Sequence, residues 1–368
     1  MDIYSSKLSK AVDLGIGAYL IVLAILSTVG NILVLVMAAR RSRQMKPPEL
    51  LSVNLALTDL GAAVSMYPLA AAAAWNHGWI GGDVACRYYG FAGFFFGVAS
   101  MATLTVMAVV RFIVSTNLQS PKDRVTRRNV SFLMASIWVY ALLWALFPLL
   151  GWGAYGPEPF GLSCTLAWSN LQQLPNGVSF VLAMFSMNLA VPSVTIIACY
   201  AGIALRLRST LKAIDSKHVP STIKMQRRLI LIAMLISCGF LASWTPYGMV
   251  SLWSVYRESG SIPPLVSMLP CLFAKTSTVY NPLIYYAFSK TFKAQVQQLC
   301  CRACPGASGR HTKGARNTVY LETEYCSPRL PPLQPRGGCA DGKAVGGDGG
   351  SEGQQETQLN TQLNTERQ

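Results

Sequence analysis

The stretch PPLVSMLPCLFAKTSTVYNPLIYYAF, residues 263–288, is apolar over almost its whole length and carries one charge, Lys275, near its middle. A run of this length can cross a lipid bilayer as a single helix. A lysine at the centre of such a helix costs about 2.5–3.5 kcal/mol to insert, so a lysine that is kept there is a functional candidate. The stretch therefore predicts a membrane helix in which Lys275 has a role.

Six further apolar runs precede this stretch, and 52% of the 368 residues are hydrophobic while only 13% are charged. Most of the runs are joined by short loops. Such a pattern predicts an all-α membrane protein, a bundle of seven antiparallel transmembrane helices. The seven runs cover residues 15–39, 51–75, 88–110, 129–150, 176–205, 229–255 and 263–288.

The basic residues predict the orientation of this bundle. Lysine and arginine are concentrated in the loops after the first, third and fifth runs, whereas the loops after the second and sixth hold only Arg87 and Arg257. Because cytoplasmic loops carry the excess of basic residues, we expect an extracellular N-terminus and a cytoplasmic C-terminus in a multi-pass protein of the plasma membrane. The net charge of +15 suits an anionic inner leaflet, so no nucleic-acid partner is needed to explain it.

Four regions follow: an extracellular N-terminus (1–14), the bundle (15–288), a short amphipathic helix (289–304) and a cytoplasmic tail (305–368). The tail is rich in Gly, Pro, Gln, Ser and Thr and contains the repeat TQLNTQLNT at residues 357–365. This composition cannot bury a core, so we predict that the tail is disordered.

The cysteines are interpreted by position. Cys86 and Cys164 both lie on the outer side, in an oxidising compartment, and we expect them to form a disulfide. Cys300 and Cys301 follow the last run closely and are candidates for palmitoylation, with free cytosolic thiols as the alternative. Cys271 lies inside a helix, where packing as a small apolar residue is the expected role. The three histidines are too dispersed for a metal site, and none is expected.

Polar residues inside the apolar runs need partners, because hydrocarbon offers no water. Asn31, Asp59 and Asn281 would all be satisfied if they converged on one interior site. Hydration of a packing defect is the alternative. We favour a polar cluster that can change state.

Prolines interrupt the fifth, sixth and seventh runs at Pro192, Pro246 and Pro282. Each removes a backbone donor and allows a bend. Trp244 and Tyr285 lie close to two of these prolines. A bend beside a bulky aromatic side chain can have two stable positions, so these sites are candidate switches.

A set of motifs recurs in order along the seven runs: Gly30-Asn31, Asn54-Leu55-Ala56 with Asp59, the pair Cys86 and Cys164, Arg111, Trp138, Pro192, Trp244 with Pro246, and Asn281-Pro282 with Tyr285. Together these motifs resemble the rhodopsin-like G-protein-coupled receptors from about residue 15 to residue 301. The resemblance implies a heterotrimeric G protein as partner, with arrestin and a receptor kinase as further candidates for the tail.

Lys275 narrows the resemblance. It lies seven residues before Pro282, where opsins carry the lysine that binds retinal, and seven residues are nearly two helical turns. The outer-loop stretch WGAYGPEPFGLSCT, residues 152–165, is similar to that of the neuropsin-like opsins. The resemblance implies retinal, 11-cis or all-trans, covalently bound to Lys275 as a Schiff base.

A protonated Schiff base needs an anion, which opsins place on the third helix or in the second outer loop. Tyr89 occupies the first position and cannot supply a carboxylate, so the resemblance points to Glu158 as counterion, directly or through water. The alternative is a solvated Glu158 and an unprotonated Schiff base that absorbs in the ultraviolet. The expected pocket includes Tyr89, Trp244 and Tyr247, with Phe91, Phe94, Phe95 and Phe96 as further candidates.

The chain departs from the family at Arg111, which usually follows an acidic residue. Here the motif is Val110-Arg111-Phe112, and Gln226 stands where rhodopsins offer a second acid. The absence of both acids predicts either activity in the dark or a coupling to the G protein that is altered or lost. Other transmission residues match the family: Tyr200, Tyr285, the start of the short helix at residues 289–292, and the acylation positions Cys300 and Cys301.

Three functions fit these observations. The leading hypothesis is a light-sensing, retinal-binding receptor that signals to a G protein and is not an enzyme. The second is a retinal photoisomerase or a non-signalling retinal-binding protein. The third is a receptor for a diffusible ligand, in which Lys275 forms an internal salt bridge.

Overall fold

The computed structural model describes residues 3–43, 45–116, 125–167, 174–213, 221–256 and 263–303. The predicted tail, residues 305–368, lies outside the described residues. Ten α-helices are described: Lys10–Arg40 (α1), Glu49–Trp75 (α2), Gly82–Thr116 (α3), Arg127–Leu146 (α4), Gly177–Phe185 (α5), Val191–Ala213 (α6), Ser221–Tyr256 (α7), Pro264–Lys275 (α8), Ser277–Phe288 (α9) and Lys290–Ala303 (α10).

The first nine of these helices, α1 to α9, form seven membrane spans. Six of the spans within the described ranges are long and apolar enough to cross a membrane, and the fifth of them combines α5, a π-helical turn at Ser186–Ala190 and α6. The seventh span consists of α8 and α9. The predicted seven-helix bundle is therefore confirmed, although α3 and α7 extend well beyond their apolar runs because a helix can continue past the bilayer into polar sequence.

The spans pack in a ring. α1 packs on α2, α2 on α3, and α3 on both α4 and α6. α7 packs on α8 and α9, and α9 also packs on α1 and α2. The fifth span therefore faces the seventh across the interior of the bundle, with α3 and α7 between them.

The seventh span is interrupted at Thr276, directly after Lys275. Val279 N donates to Thr276 O, three residues earlier, at 3.0 Å. In a regular α-helix it would donate to Lys275 O, four residues earlier, so the Lys275 carbonyl is left open to other donors. Tyr67 Oη donates to that carbonyl at 2.8 Å. The helical break is therefore held by the second span, and it lies next to the lysine rather than at Pro282.

Pro282 leaves the backbone carbonyl four residues earlier in α9 without its helical donor. A proline has no N–H to donate to the carbonyl of residue i−4, which here is Thr278. That carbonyl instead accepts from Asn31 Nδ2 at 3.0 Å and from Ser27 Oγ at 3.3 Å. The first span thus satisfies the backbone acceptor that the proline leaves free.

A short hairpin covers one end of the bundle. Strands Tyr155–Pro157 (β1) and Cys164–Leu166 (β2) pair antiparallel and pack on α3. The predicted disulfide between Cys86 and Cys164 is present and ties β2 to the start of α3. Gly161 has φ +84, a conformation that L side chains rarely adopt, in the connection between the strands. The hairpin is therefore fixed above the interior.

After α9, the short helix α10 begins at Lys290, where Ser289 Oγ accepts from Phe292 N at 3.3 Å. This agrees with the helix expected at residues 289–304. Cys300 and Cys301 fall within α10, but their side chains lie outside the described part of the structure.

Candidate ligand-binding site

An interior cavity lies beneath the hairpin. Its volume is about 140 Å³. One buried water needs roughly 10–15 Å³ on the same measure, so the cavity admits a ligand much larger than water. Its walls are mostly apolar. Lys275, Glu158, Tyr89, Trp244 and Tyr247 all line this one cavity, so the structure brings together the pocket residues that the sequence singled out.

Lys275 is the last residue of α8, and its side chain lies in this cavity. Nζ donates to Cys271 Sγ at 2.9 Å and lies 6.0 Å from the ring centroid of Tyr89. Tyr89 is buried and its hydroxyl has no hydrogen-bond partner among the described residues. The ammonium group is therefore held by a thiol and an aromatic face.

Glu158 follows β1 and is only 3% exposed, so it is not a solvated loop acid. Its Oε1 accepts from Tyr247 Oη at 2.6 Å, and Tyr247 Oη lies 3.1 Å from Thr165 Oγ1 on β2. Burial raises the pKa of Glu158 to about 7, while the bond from Tyr247 and the charge of Lys275 act in the opposite direction. The carboxylate is thus held over the cavity by the hairpin and the sixth span.

Lys275 and Glu158 do not form a direct ion pair with N–O ≤ 4.0 Å in the described part of the chain. Cys271 interacts with both groups, because its thiol accepts from Lys275 and also acts on the Glu158 carboxyl. Glu158 Oε2 has no hydrogen-bond partner among the described residues. The arrangement leaves this oxygen available to a group that enters the cavity.

The aromatic candidates divide into two sets. Trp244 Nε1 donates to Ser277 Oγ at 3.2 Å, and its ring stacks on Phe240 at 5.6 Å. Phe94 and Phe96 line the cavity with Trp244. Phe91 and Phe95 stack on each other at 5.9 Å and are not among its lining residues.

The polar cluster is only partly as expected. Asn281 Nδ2 donates to Asp59 Oδ2 at 2.8 Å, and Asp59 is 1% exposed at the floor of the cavity. Asn31 instead bonds to the Thr278 carbonyl, and its Oδ1 has no partner among the described residues. Asn31 is therefore tied to the seventh span through backbone, because Pro282 frees an acceptor there.

Arg111 lies near the end of α3 that is remote from the hairpin, beside a second cavity that Tyr285 also lines. It forms no ion pair within 4.0 Å in the described ranges, and its Nε has no hydrogen-bond partner there. Glu49, the one acid among the residues that line this cavity, acts on Arg111 at longer range. Tyr200 Oη lies 3.4 Å from Ser237 Oγ in the same region.

Residues 30–285 match the family model described as 7 transmembrane receptor (rhodopsin family). Opsin-5 of Mus musculus is 39% identical over 305 residues, which cover 82% of this chain and 79% of that protein. The chain belongs to the opsins, within the rhodopsin family of seven-transmembrane receptors. The resemblance to the neuropsin-like group is thereby confirmed, since Opsin-5 of Homo sapiens is also 38% identical over 304 residues.

Two further comparisons agree with the assignment of this chain to the opsins. The visual pigment-like receptor peropsin of Homo sapiens is 31% identical over 278 residues, which cover 76% of this chain and 82% of that protein. The crystal structure of squid rhodopsin superimposes with a TM-score of 0.73 at 25% identity and covers 82% of this chain and 90% of that chain.

Three residues of the opsin were missed or misread from sequence. Cys271 was expected to be simple packing, although its position four residues before Lys275 places it on the same helix face. Glu49 was not considered, because its relation to Arg111 depends on how α2 and α3 meet. Asn188, in the π-helical turn, lines the main cavity, and no motif marked it.

Proposed function

We propose that this opsin is a light-sensing receptor that binds retinal covalently through Lys275 and signals to a heterotrimeric G protein. One observation carries the proposal: Lys275, the only lysine among the described residues that line the apolar cavity, has its side chain in that cavity, which the buried Glu158 also lines. Membership of the opsins supports the same conclusion.

Retinal fits the residues present. It is an elongated apolar aldehyde, and the cavity has apolar and aromatic walls with an amine on one side. Lys275 Nζ, in its unprotonated form, would attack the aldehyde carbon, and the condensation would release one water molecule. When bound, retinal would supply the absorption of light and a change of shape. Reconstitution with 11-cis and with all-trans retinal distinguishes which isomer the opsin prefers.

Glu158 is the proposed counterion to the lysine nitrogen. It is buried, and its Oε2 has no hydrogen-bond partner among the described residues. An opposite charge nearby favours the positively charged form of a nitrogen. Tyr247 holds the carboxyl group in place at 2.6 Å. Cys271, beside both groups, would position the nitrogen relative to the carboxylate.

A route from the cavity toward the cytoplasm begins at Trp244. Its indole bonds to Ser277, the first residue of α9, and the same helix carries Asn281, which bonds to Asp59. A ligand that changes shape against Trp244 would therefore act on both the sixth and the seventh span. We infer that Pro246 and Pro282 let these spans move, and that Arg111, Tyr200 and Tyr285 respond at the inner end.

The proposed orientation places the hairpin outside the cell and α10 along the cytoplasmic face. The disulfide at the hairpin end supports it, since disulfides persist in oxidising compartments. Cys300 and Cys301 would then be available for palmitoylation near the inner leaflet. Arrestin and a receptor kinase are proposed as partners of the cytoplasmic tail.

Reconstitution tests this function. Membranes that contain the opsin are incubated with 11-cis or all-trans retinal, and absorption and nucleotide exchange on added G proteins are measured before and after illumination. We expect a retinal-dependent band that changes with light, light-dependent exchange, and the loss of both in Lys275→Ala. A band that Lys275→Ala retains would contradict the attachment site.

A second candidate function is retinal photoisomerisation with little signalling. It is favoured by Arg111, which has neither a preceding acid nor an acid at Gln226 and makes no ion pair in the described part of the chain. This alternative predicts that light converts bound retinal while no tested G protein exchanges nucleotide. The presence of Tyr200 and Tyr285 near Arg111 favours signalling.

A further inference from the structure

Asn188 lies in the π-helical turn Ser186–Ala190 of the fifth span and lines the main cavity. Its side chain is 9% exposed, and neither Nδ2 nor Oδ1 has a hydrogen-bond partner among the described residues. The turn ends two residues before Pro192. Single π-helical turns occur often at functional sites, so the position itself is informative.

An unpaired amide is costly in such a place. Leaving a buried polar group without a hydrogen bond costs about 1–3 kcal/mol, and most buried polar groups are paired. A primary amide can donate two hydrogen bonds and accept two. Because none of the described residues pairs with Asn188, a molecule that enters the cavity is the candidate partner.

The location of Asn188 restricts that partner. The fifth span faces the seventh across the bundle, so Asn188 and Lys275 lie on different walls of the same cavity. The fifth and sixth spans are in close contact there, because a methyl group at Gly248 would lie 2.4 Å from Leu189 Cδ2. Ser251, a nearby lining residue, already donates its hydroxyl to the Gly248 carbonyl at 2.8 Å.

Unsubstituted retinal cannot satisfy this amide. Its one oxygen belongs to the aldehyde, and that oxygen leaves as water when the carbon attaches to Lys275. The end of the molecule that would lie toward the fifth span is then hydrocarbon. A hydroxyl group on the ring could donate to Asn188 Oδ1 and accept from Nδ2, and would pair both atoms.

We propose that Asn188 recognises a ring hydroxyl, and that the opsin selects ring-hydroxylated retinals over unsubstituted retinal. The inference rests on the proposed function, since it requires a retinal attached at Lys275. Two hydrogen bonds of ordinary strength correspond to a preference of about tenfold.

Competition between chromophores tests this selectivity. Opsin in membranes is incubated with an equimolar mixture of 11-cis retinal and 11-cis 3-hydroxyretinal. Parallel incubations replace 3-hydroxyretinal with 4-hydroxyretinal, or use the all-trans isomers of both compounds. The retinoids bound after washing are released as oximes and quantified by chromatography. We expect the wild type to retain one of the hydroxylated forms about tenfold in excess.

Two variants define the origin of the preference. Asn188→Leu keeps the size of the side chain and removes its polar atoms, so it should bind both forms equally while still forming pigment. Ser251→Ala, in the sixth span, should keep the wild-type preference, because the Ser251 hydroxyl already donates to the Gly248 carbonyl. In infrared spectra, the amide carbonyl band of Asn188 should shift when the hydroxylated form is bound and not with unsubstituted retinal.

Each outcome is decisive. Equal retention of all forms by the wild type, or a preference that Asn188→Leu keeps, would overturn the proposal. A preference for unsubstituted retinal would mean that only water pairs with the amide, and would also overturn it. If Asn188→Leu does not fold, the wild-type competition and the infrared shift still decide. Failure of every retinoid to attach to the wild type would instead reject the proposed function.

Discussion

At the scale of single residues, the site depends on how a few polar groups are held in apolar surroundings. Lys275 could be identified from sequence, because a charge in the middle of an apolar run is conspicuous. Glu158 could be selected only through the family resemblance, since nothing local shows that the hairpin buries it. Cys271 and Asn188 could not be assigned, because their roles depend on which side chains the assembled bundle places near them.

Glu158 provides a test by titration. With its pKa raised to about 7 by burial, the carboxyl group of the ligand-free opsin is protonated below about pH 7 and negatively charged above it. We expect an infrared carboxylic acid band that disappears as the pH rises through about 7. Glu158→Gln should lack the band, and Asp83→Asn, at an exposed ion pair with Arg87, should keep it.

The same substitution tests the counterion. Without a negative charge beside it, the lysine nitrogen in the retinal-bound opsin should lose its proton at a lower pH than in the wild type. At neutral pH, Glu158→Gln should therefore absorb mainly in the ultraviolet, while Asp83→Asn absorbs as the wild type does. An unchanged titration of the visible band in Glu158→Gln would show that another group is the counterion.

At the scale of elements, the spans could be predicted and their irregularities could not. Length and hydropathy are enough to find seven apolar runs. The break at Thr276 depends on Tyr67 of the second span, which donates to the Lys275 carbonyl. No pattern within the sequence of the seventh span indicates this contact. The π-helical turn before Pro192 likewise has no signal in periodicity, and the proline alone indicates only that the helix is irregular there.

Asn31 and Pro282 should be coupled, because Asn31 donates to the Thr278 carbonyl that the proline leaves free. Asn31→Leu should reduce the stability of the ligand-free opsin by about 1–3 kcal/mol, measured by thermal unfolding in detergent. In a Pro282→Ala background the restored N–H can bond to Thr278, so the same change should cost less. Equal costs in both backgrounds would rule out the coupling.

At the scale of the whole molecule, one cavity holds Lys275 and a second lies beside Arg111. Two hydrogen bonds join spans at the first cavity, one between Trp244 and Ser277 and one between Asn281 and Asp59. Sequence reasoning could name most of these residues from motifs, but the order in which they contact one another follows only from the packing of the spans.

Arg111 should be under weaker restraint than in receptors with an acid beside it. Val110→Glu places a carboxylate next to Arg111, which forms no ion pair among the described residues, and Val110→Gln is the matched uncharged control. We expect nucleotide exchange without retinal or light to fall by about fivefold or more in Val110→Glu, since a hydrogen bond to a charged group is worth about 1.5–3 kcal/mol. Equal dark activity in the two variants would show that the missing acid does not set the resting state.

Covalent trapping tests the central claim most directly. Opsin incubated with retinal is treated with borohydride, digested and mapped by mass spectrometry, with Lys290 and Lys293 of α10 as internal controls. The account predicts one retinyl group, on Lys275, and none on the control lysines or in Lys275→Ala. Retinal that binds without becoming fixed to Lys275 would contradict the account and would favour a receptor for a diffusible ligand.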